Sequence, residues 1–195
     1  MFNKLSTKIC QSFIKSQSID EESYELYEYG IFLLIANFFF AMEILLFGAV
    51  FRCLFGAVVF YISFRIIRIY AGGYHADTET RCEIITTLIF LAITYFISIS
   101  NQQNFQVLVF ILTAIAIPII IIFSPLDTPA KPLDDDEKRK YRRISYVILL
   151  IIVSVIIIAI LFKIKSLFIP CCFSLIVESI LLVAGVIKGR LVSGH

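Results

Sequence analysis

The chain has 195 residues, of which 59% are hydrophobic and only 16% charged, against roughly 45–50% and about 25% in soluble domains. So short a chain has too much surface for a larger core to absorb the excess, which excludes a soluble globular class and puts apolar side chains against lipid. The formal net charge of +2 says little in itself; where the positive residues sit carries the information.

Near the N-terminus, Phe2, Leu5, Ile9 and Phe13 recur at helical spacing, with Lys4, Lys8, Gln11 and Lys15 elsewhere on the wheel. This predicts a short amphipathic helix lying in the cytoplasmic interface; packing on the protein's own loops fits the pattern equally. The first apolar run begins near Tyr29, after lysines and an acidic stretch, and no small-residue cleavage site follows it. It is expected to remain as an anchor rather than be removed as a signal peptide.

A helix crossing the hydrocarbon core needs about 20 mostly apolar residues. Stretches at about 29–48, 50–69, 80–100, 106–124, 145–162 and 167–187 meet that requirement. They are too continuously apolar for barrel strands, which alternate, so the expected fold is all-α: a single membrane-embedded domain over residues 1–195 with about six transmembrane helices. If the N-terminus is cytoplasmic, the inside holds Lys4, Lys8, Lys15, Arg65, Arg68, Arg81, Lys131, Lys138, Arg139, Lys140, Arg142, Arg143, Lys188 and Arg190. The outside holds Arg52, Lys163 and Lys165. This bias predicts that both termini are cytoplasmic. With 19 Phe and no Trp, Tyr alone can supply the polar-tipped ring of an interfacial belt.

The connection at about 125–144 contains Pro125, Pro129, Pro132 and the charged run Asp134 to Lys140, and reads as a solvated loop leading into a helix. The basic cluster from Lys138 to Arg143 suits anionic lipid headgroups or an acidic peptide tail. Within the spans, Glu43 is expected to form a structural ion pair with Arg52 on the next, antiparallel span. Glu178 lies mid-span and either meets a bundle-facing Arg or is protonated. Pro118 and Pro170 are expected to kink their helices.

The loop between the second and third spans carries the chemistry. It holds Gly72, Gly73, the internal histidine His75, Asp77 and, seven residues beyond His75, Cys82. A Cys/His pair performs nucleophilic catalysis because the thiolate attacks while the imidazole takes and returns a proton. On one unbroken helix this spacing would part the side chains by about 10 Å along the axis, too far for proton transfer, so the backbone between them must turn. Gly72-Gly73 supplies flexibility, and Asp77, Thr78 or Thr80 can begin a new helix. Thr80 to Glu83 matches a capping box, which would put Cys82 in the first helical turn, where the helix's positive end, Arg81 and Arg68 favour thiolate. The same residues also fit an anchoring His and a packing Cys. A metal site from His75, Asp77 and Cys82 lacks a clear fourth ligand, so no metal or cofactor is expected. The five cysteines are odd in number and show no CxxC spacing, which argues against a disulfide framework.

The pattern Arg68-x4-Gly73-x-His75-x6-Cys82 in a loop after two spans resembles AgrB, the accessory gene regulator peptidase. The similarity extends to Pro125-x-Asp127 and Lys131-Pro132-Leu133 after the fourth span, and to length, span number and orientation. The resemblance implies a membrane cysteine endopeptidase that cuts the C-terminal part from a quorum-sensing propeptide and supports cyclisation of the remainder. Cys82 would be the nucleophile and His75 the base. Arg68, Gly72, Gly73, Asp77, Pro125, Asp127, Lys131 and Pro132 would support the site or bind substrate, with Arg68 able to hold a carboxylate and Asp77 to orient His75. The implied partners are a short AgrD-like propeptide, the bilayer and a second copy of the chain, without nucleic acid. Two rivals remain open on the residues: a small peptide exporter with Glu43, Glu178 and the prolines along its path, and a noncatalytic membrane scaffold.

Overall fold

The computed structural model describes residues 2–15, 24–74, 76, 78–100, 103–127 and 133–193. Among these, all regular structure is helical: α1 Phe2–Lys15, α2 Tyr24–Val50, α3 Leu54–Ala71, α4 Glu79–Ser98, α5 Gln103–Phe123, α6 Asp135–Leu161 and α7 Lys165–Ser193. Six of them, α2 to α7, are long and apolar enough to cross a membrane. The protein is thus an all-α, polytopic membrane protein.

Burial ranks the spans. In α7 the apolar window is 67% buried, against 11% in α2, so α7 is the centre of the bundle and α2 lies at its edge. α7 packs on α5, α3 and α6, whereas α2 packs on α1, α3 and α4. The outward side chains of α2, among them Leu34, Phe38 and Leu46, are exposed, as a lipid-facing surface requires.

Three expectations change in detail. α2 starts at Tyr24, ahead of the apolar run, because its polar first turn is held by α1: Thr7 Oγ1 donates to Glu28 Oε1 at 2.6 Å, and the Cys10 thiol points at the Tyr24 carbonyl at 3.8 Å. α1 therefore packs on α2 through buried Ser6 and Cys10, while Phe13 remains exposed. The charged run is not a loop. α6 begins at Asp135, with Asp134 at its cap accepting from Glu137 N and the Glu137 side chain accepting in turn from Asp134 N. Three acidic residues fill the first turn, where the helix dipole favours them. Finally, Glu43 does not reach Arg52. Its carboxylate accepts from Thr87 Oγ1 on α4, at 3.1 and 3.0 Å, because Arg52 is drawn into the turn between α2 and α3.

In that turn Arg52 adopts φ 55° and Cys53 N donates back to Gly48 O at 2.8 Å. Lys163 at the end of α6 does the same, with φ 57° and Ile164 N donating to Ala159 O at 2.8 Å. Both are left-handed helix terminations, each placing a cation where the terminal carbonyls attract it. Pro118 and Pro170 lie inside α5 and α7, and the helices continue through them.

Candidate active site

Arg68 sits in the last turn of α3. The helix ends at Gly72, whose N–H still donates to Arg68 O at 3.2 Å. Gly72 and Gly73 have φ +78° and +126°, a region that L side chains avoid, and this pair turns the chain back across the end of the bundle. The Arg68 guanidinium folds over the turn: Nη1 donates to Gly72 O at 2.6 Å and Nη2 to Tyr74 O. A Cβ at Gly73 would overlap that guanidinium, and one at Gly72 would lie 2.8 Å from Leu126 O.

The turn is also tied to α7. Tyr74 N donates to Leu181 O at 2.8 Å, and Lys188 Nζ lies 5.2 Å from the Tyr74 ring centroid, within cation–π range. Buried Gly185 makes room for the contact, since a Cβ there would stand 2.9 Å from Tyr74 N and 3.0 Å from Gly73 C. On the other side, Leu126 N donates to Ala71 O at 2.9 Å. The two stretches that carry the family resemblance, 68–82 and 125–133, are therefore joined at Ala71 and Leu126. Pro125 follows a cis peptide bond from Ser124. Asp127 accepts from Leu133 N at 3.1 Å and pairs with Lys138 Nζ at 2.8 Å.

Glu178 is the mid-span carboxylate and Arg68 is its bundle-facing partner. Arg68 Nη1 lies 3.9 Å from Glu178 Oε1, with the Glu178 side chain fully buried, and among the described residues neither carboxylate oxygen has a hydrogen-bond donor. At an effective dielectric near 20 the attraction of such a pair is about 4 kcal/mol, while desolvation costs several kcal/mol per ion. The pair is therefore close to neutral for stability, and its consequence is where it puts the guanidinium. Arg68 is held by two loop carbonyls and an internal carboxylate.

Cys82 lies on α4. The helix is capped by Thr78, in extended conformation (φ −132°, ψ 147°), whose side chain accepts from Arg81 N at 3.3 Å. The expected capping box at Thr80 is therefore displaced two residues upstream. Thr80 is already helical, and the residue three beyond the true cap is Arg81, which cannot close a box. Cys82 N makes the first intrahelical bond, to Thr78 O at 3.1 Å, and Cys82 O accepts from Thr86 Oγ1 at 2.8 Å.

The half-buried Cys82 lines a cavity of about 440 Å³ between α2, α3, α4 and α7. Arg65, Arg68, Gly72 and Tyr74 share it, with Asn37 and Tyr29 as further polar groups and Phe40, Phe64 and Phe90 as apolar wall. Arg65 Nη2 donates to Asn37 Oδ1. Cys82 is the only cysteine among the described residues that line this space; Cys10, Cys171 and Cys172 are buried elsewhere. Burial, and secondarily nearby Glu28, pushes the Cys10 thiol up from its ordinary range.

The expected site residues therefore divide. Arg68, Gly72 and Cys82 line one cavity, and Gly73 lies against the Arg68 guanidinium. Pro125 and Asp127 belong to the segment behind Gly72, not to its wall. His75, Asp77, Lys131 and Pro132 lie outside the described residues. Sequence reasoning missed Leu181, Gly185 and Lys188 on α7; a glycine about two turns beyond the mid-span Glu178 was the available signal for Gly185.

These features define a polytopic helical membrane protein with a thiol-lined cavity beneath a glycine-hinged loop. The chain belongs to the accessory gene regulator B family, AgrB, whose model matches residues 6–183, which makes it part of accessory gene regulator quorum-sensing peptide processing. An AgrB-like protein 2 of Clostridium perfringens (strain 13 / Type A) is 29% identical over 145 residues, covering 72% of this chain and 68% of that protein. The accessory gene regulator protein B of Staphylococcus aureus (strain JH9) is 29% identical over 148 residues, 73% and 76% of the two chains. That of Staphylococcus carnosus (strain TM300) is 25% identical over 131 residues, 67% of each. No solved structure matches the chain.

Proposed function

We propose that the protein is a cysteine endopeptidase that cleaves a quorum-sensing propeptide and supports its cyclisation. The observation that carries this reading is Cys82, half-buried on the wall of a cavity of about 440 Å³ that it shares with Tyr74, the residue directly before His75 in the sequence. Cys82 Sγ attacks the scissile carbonyl while His75 takes the thiol proton. The C–N bond then breaks, the leaving amine receives that proton, and the N-terminal part remains as a thioester on Cys82. A thiol or hydroxyl within the same peptide attacks the thioester carbonyl, releasing Cys82 and closing a thiolactone or lactone. The internal nucleophile outcompetes water because binding in the cavity raises its effective molarity and excludes solvent.

The substrate is a short AgrD-like propeptide, and the working unit is a homodimer in the cell membrane with both termini and the cavity mouth on the cytoplasmic side. The positive-inside bias of the loops supports that orientation. Incubating purified protein with candidate propeptides and reading the mass on the peptide containing Cys82 tests the reading. An adduct equal to the N-terminal fragment minus water is expected, and it is absent in Cys82→Ala. Cleavage at wild-type rate by Cys82→Ala sinks it.

A further inference from the structure

Glu178 is a fully buried carboxylate whose oxygens accept no hydrogen bond from the described residues, and the proposed chemistry does not use it. Its close charged neighbour is Arg68, at 3.9 Å. The same Arg68 nitrogen donates to Gly72 O at 2.6 Å, while the second terminal nitrogen donates to Tyr74 O. The two carbonyls bracket Gly73, whose missing side chain is what lets the guanidinium enter. An arginine fork can take this position only if its charge is compensated on the side facing the bundle centre, and Glu178 supplies that compensation from the middle of α7.

We propose that Glu178 is a positioning residue for the site: as the counter-charge behind Arg68, it fixes the guanidinium against the carbonyls of Gly72 and Tyr74 and so sets the path of the chain leading to His75. The catalytic part of this inference rests on the peptidase reading; the mechanical part does not. The two parts are separated by the choice of readouts.

The experiment compares full-length wild type, Glu178→Gln, Arg68→Lys and the double variant in detergent or nanodiscs. Propeptide cleavage is resolved into kcat and KM, and hydrogen exchange is followed at the Tyr74 amide, now bonded to Leu181 O at 2.8 Å. Glu178→Gln keeps the shape and removes the charge; kcat is expected to fall about tenfold or more with KM nearly unchanged, since misplacement of about 1 Å can cost about a hundredfold. Exchange at Tyr74 rises about tenfold as the clamp loosens. Arg68→Lys, which keeps the charge but loses the fork, reproduces both changes. The double variant is no worse than Arg68→Lys, because the two residues act in series.

Wild-type exchange and kcat in Glu178→Gln, or losses that multiply in the double variant, overturn the proposal. Should Glu178→Gln fail to accumulate in membranes, Glu178→Asp keeps the charge and withdraws the carboxylate by one methylene. Intermediate losses are then expected, and wild-type values overturn the proposal equally. If wild type and Cys82→Ala cleave alike, the peptidase reading fails, yet the exchange measurements still decide whether Glu178 holds the turn through Arg68.

Discussion

Tyr74 donates its backbone N–H to the carbonyl of Leu181, 2.8 Å away, although Leu181 already belongs to the central helix of the bundle. A loop usually runs over the surface; this one is hydrogen-bonded into the end of the core. The bond is possible because Gly72 and Gly73 turn the chain through positive φ and because α7 presents a glycine at the point of closest approach. Three glycines on two elements thus produce one contact, and the segment ahead of His75 starts from a fixed point.

Gly185→Ala tests that contact. The added methyl would meet Tyr74 N at 2.9 Å and Gly73 C at 3.0 Å, both backbone atoms, so the loop has to move. Overpacking of this kind costs about 1–3 kcal/mol. Thermal unfolding of the purified protein is expected to show a lower midpoint for Gly185→Ala, and propeptide cleavage to fall with it. At Gly189, one turn further along the same helix, an added Cβ meets no described atom within 4 Å, and Gly189→Ala should match wild type in both. Equal behaviour of the two variants would mean that the loop does not rest on α7.

The N-cap of α4 sets where Cys82 falls along its helix. The Thr78 side chain accepts from Arg81 N at 3.3 Å in an exposed position, and removing a threonine cap costs about 1 kcal/mol. Thr78→Ala should therefore lower stability by about that much, with Thr78→Ser close to wild type, whereas Thr80→Ala should have little effect because Thr80 is inside the helix. Chemical denaturation of the three variants separates the two cap assignments.

What was legible in the sequence follows from what hydropathy measures. Apolar runs report contact with lipid, so the six spans and their order could be read directly. They do not report helix ends: α2 and α6 extend into polar sequence at Tyr24 and Asp135 because helix 1 packing and a capping box continue them. Arg68 and Cys82, which line one cavity, were legible through the family resemblance of the motif that carries them, and Glu178 through the high cost of a carboxylate in lipid. The partner of Glu178 was not, since residues 68 and 178 are brought together only by the parallel packing of α3 on α7, along which Ser63 meets Cys171 and Arg68 meets Glu178. Nor was the partner of Glu43. Pairing by proximity in sequence pointed to Arg52, but the turn geometry removed Arg52 and left Thr87 of α4 facing the carboxylate.

Asp127 and Lys138 bridge the segment after α5 to the start of α6 at 2.8 Å, with both side chains roughly two-fifths exposed. Exposed pairs of this kind are worth about 0–1 kcal/mol. Lys138→Gln is therefore expected to leave the unfolding midpoint within about two degrees of wild type at moderate salt. Asp127→Ala should cost more, because the same carboxylate also accepts Leu133 N at 3.1 Å. Unfolding curves for both at low and high salt check this: salt should erase the difference between Lys138→Gln and wild type while leaving that of Asp127→Ala. A Lys138→Gln defect as large as that of Asp127→Ala would show that the charge, not the backbone bond, holds the segment.

The cysteines provide their own map of the site and of the membrane. Cys10, Cys171 and Cys172 are buried, whereas Cys53 and Cys82 are partly accessible, and the Cys53 thiol is engaged with Thr94 O at 3.4 Å. Thr94 is near the far end of α4 from Cys82, so the two accessible thiols mark opposite ends of the bundle. A membrane-impermeant maleimide added to intact cells should leave Cys82 unmodified if the cavity opens to the cytoplasm, and should modify it once the cells are opened. In opened membranes Cys82 should react at least about tenfold faster than Cys10, whose thiol is buried and pushed toward its neutral form. Labelling is read at each cysteine by mass spectrometry after proteolysis. Modification of Cys82 in intact cells would invert the proposed orientation, and protection of Cys82 in opened membranes would mean that the cavity is closed to a peptide chain.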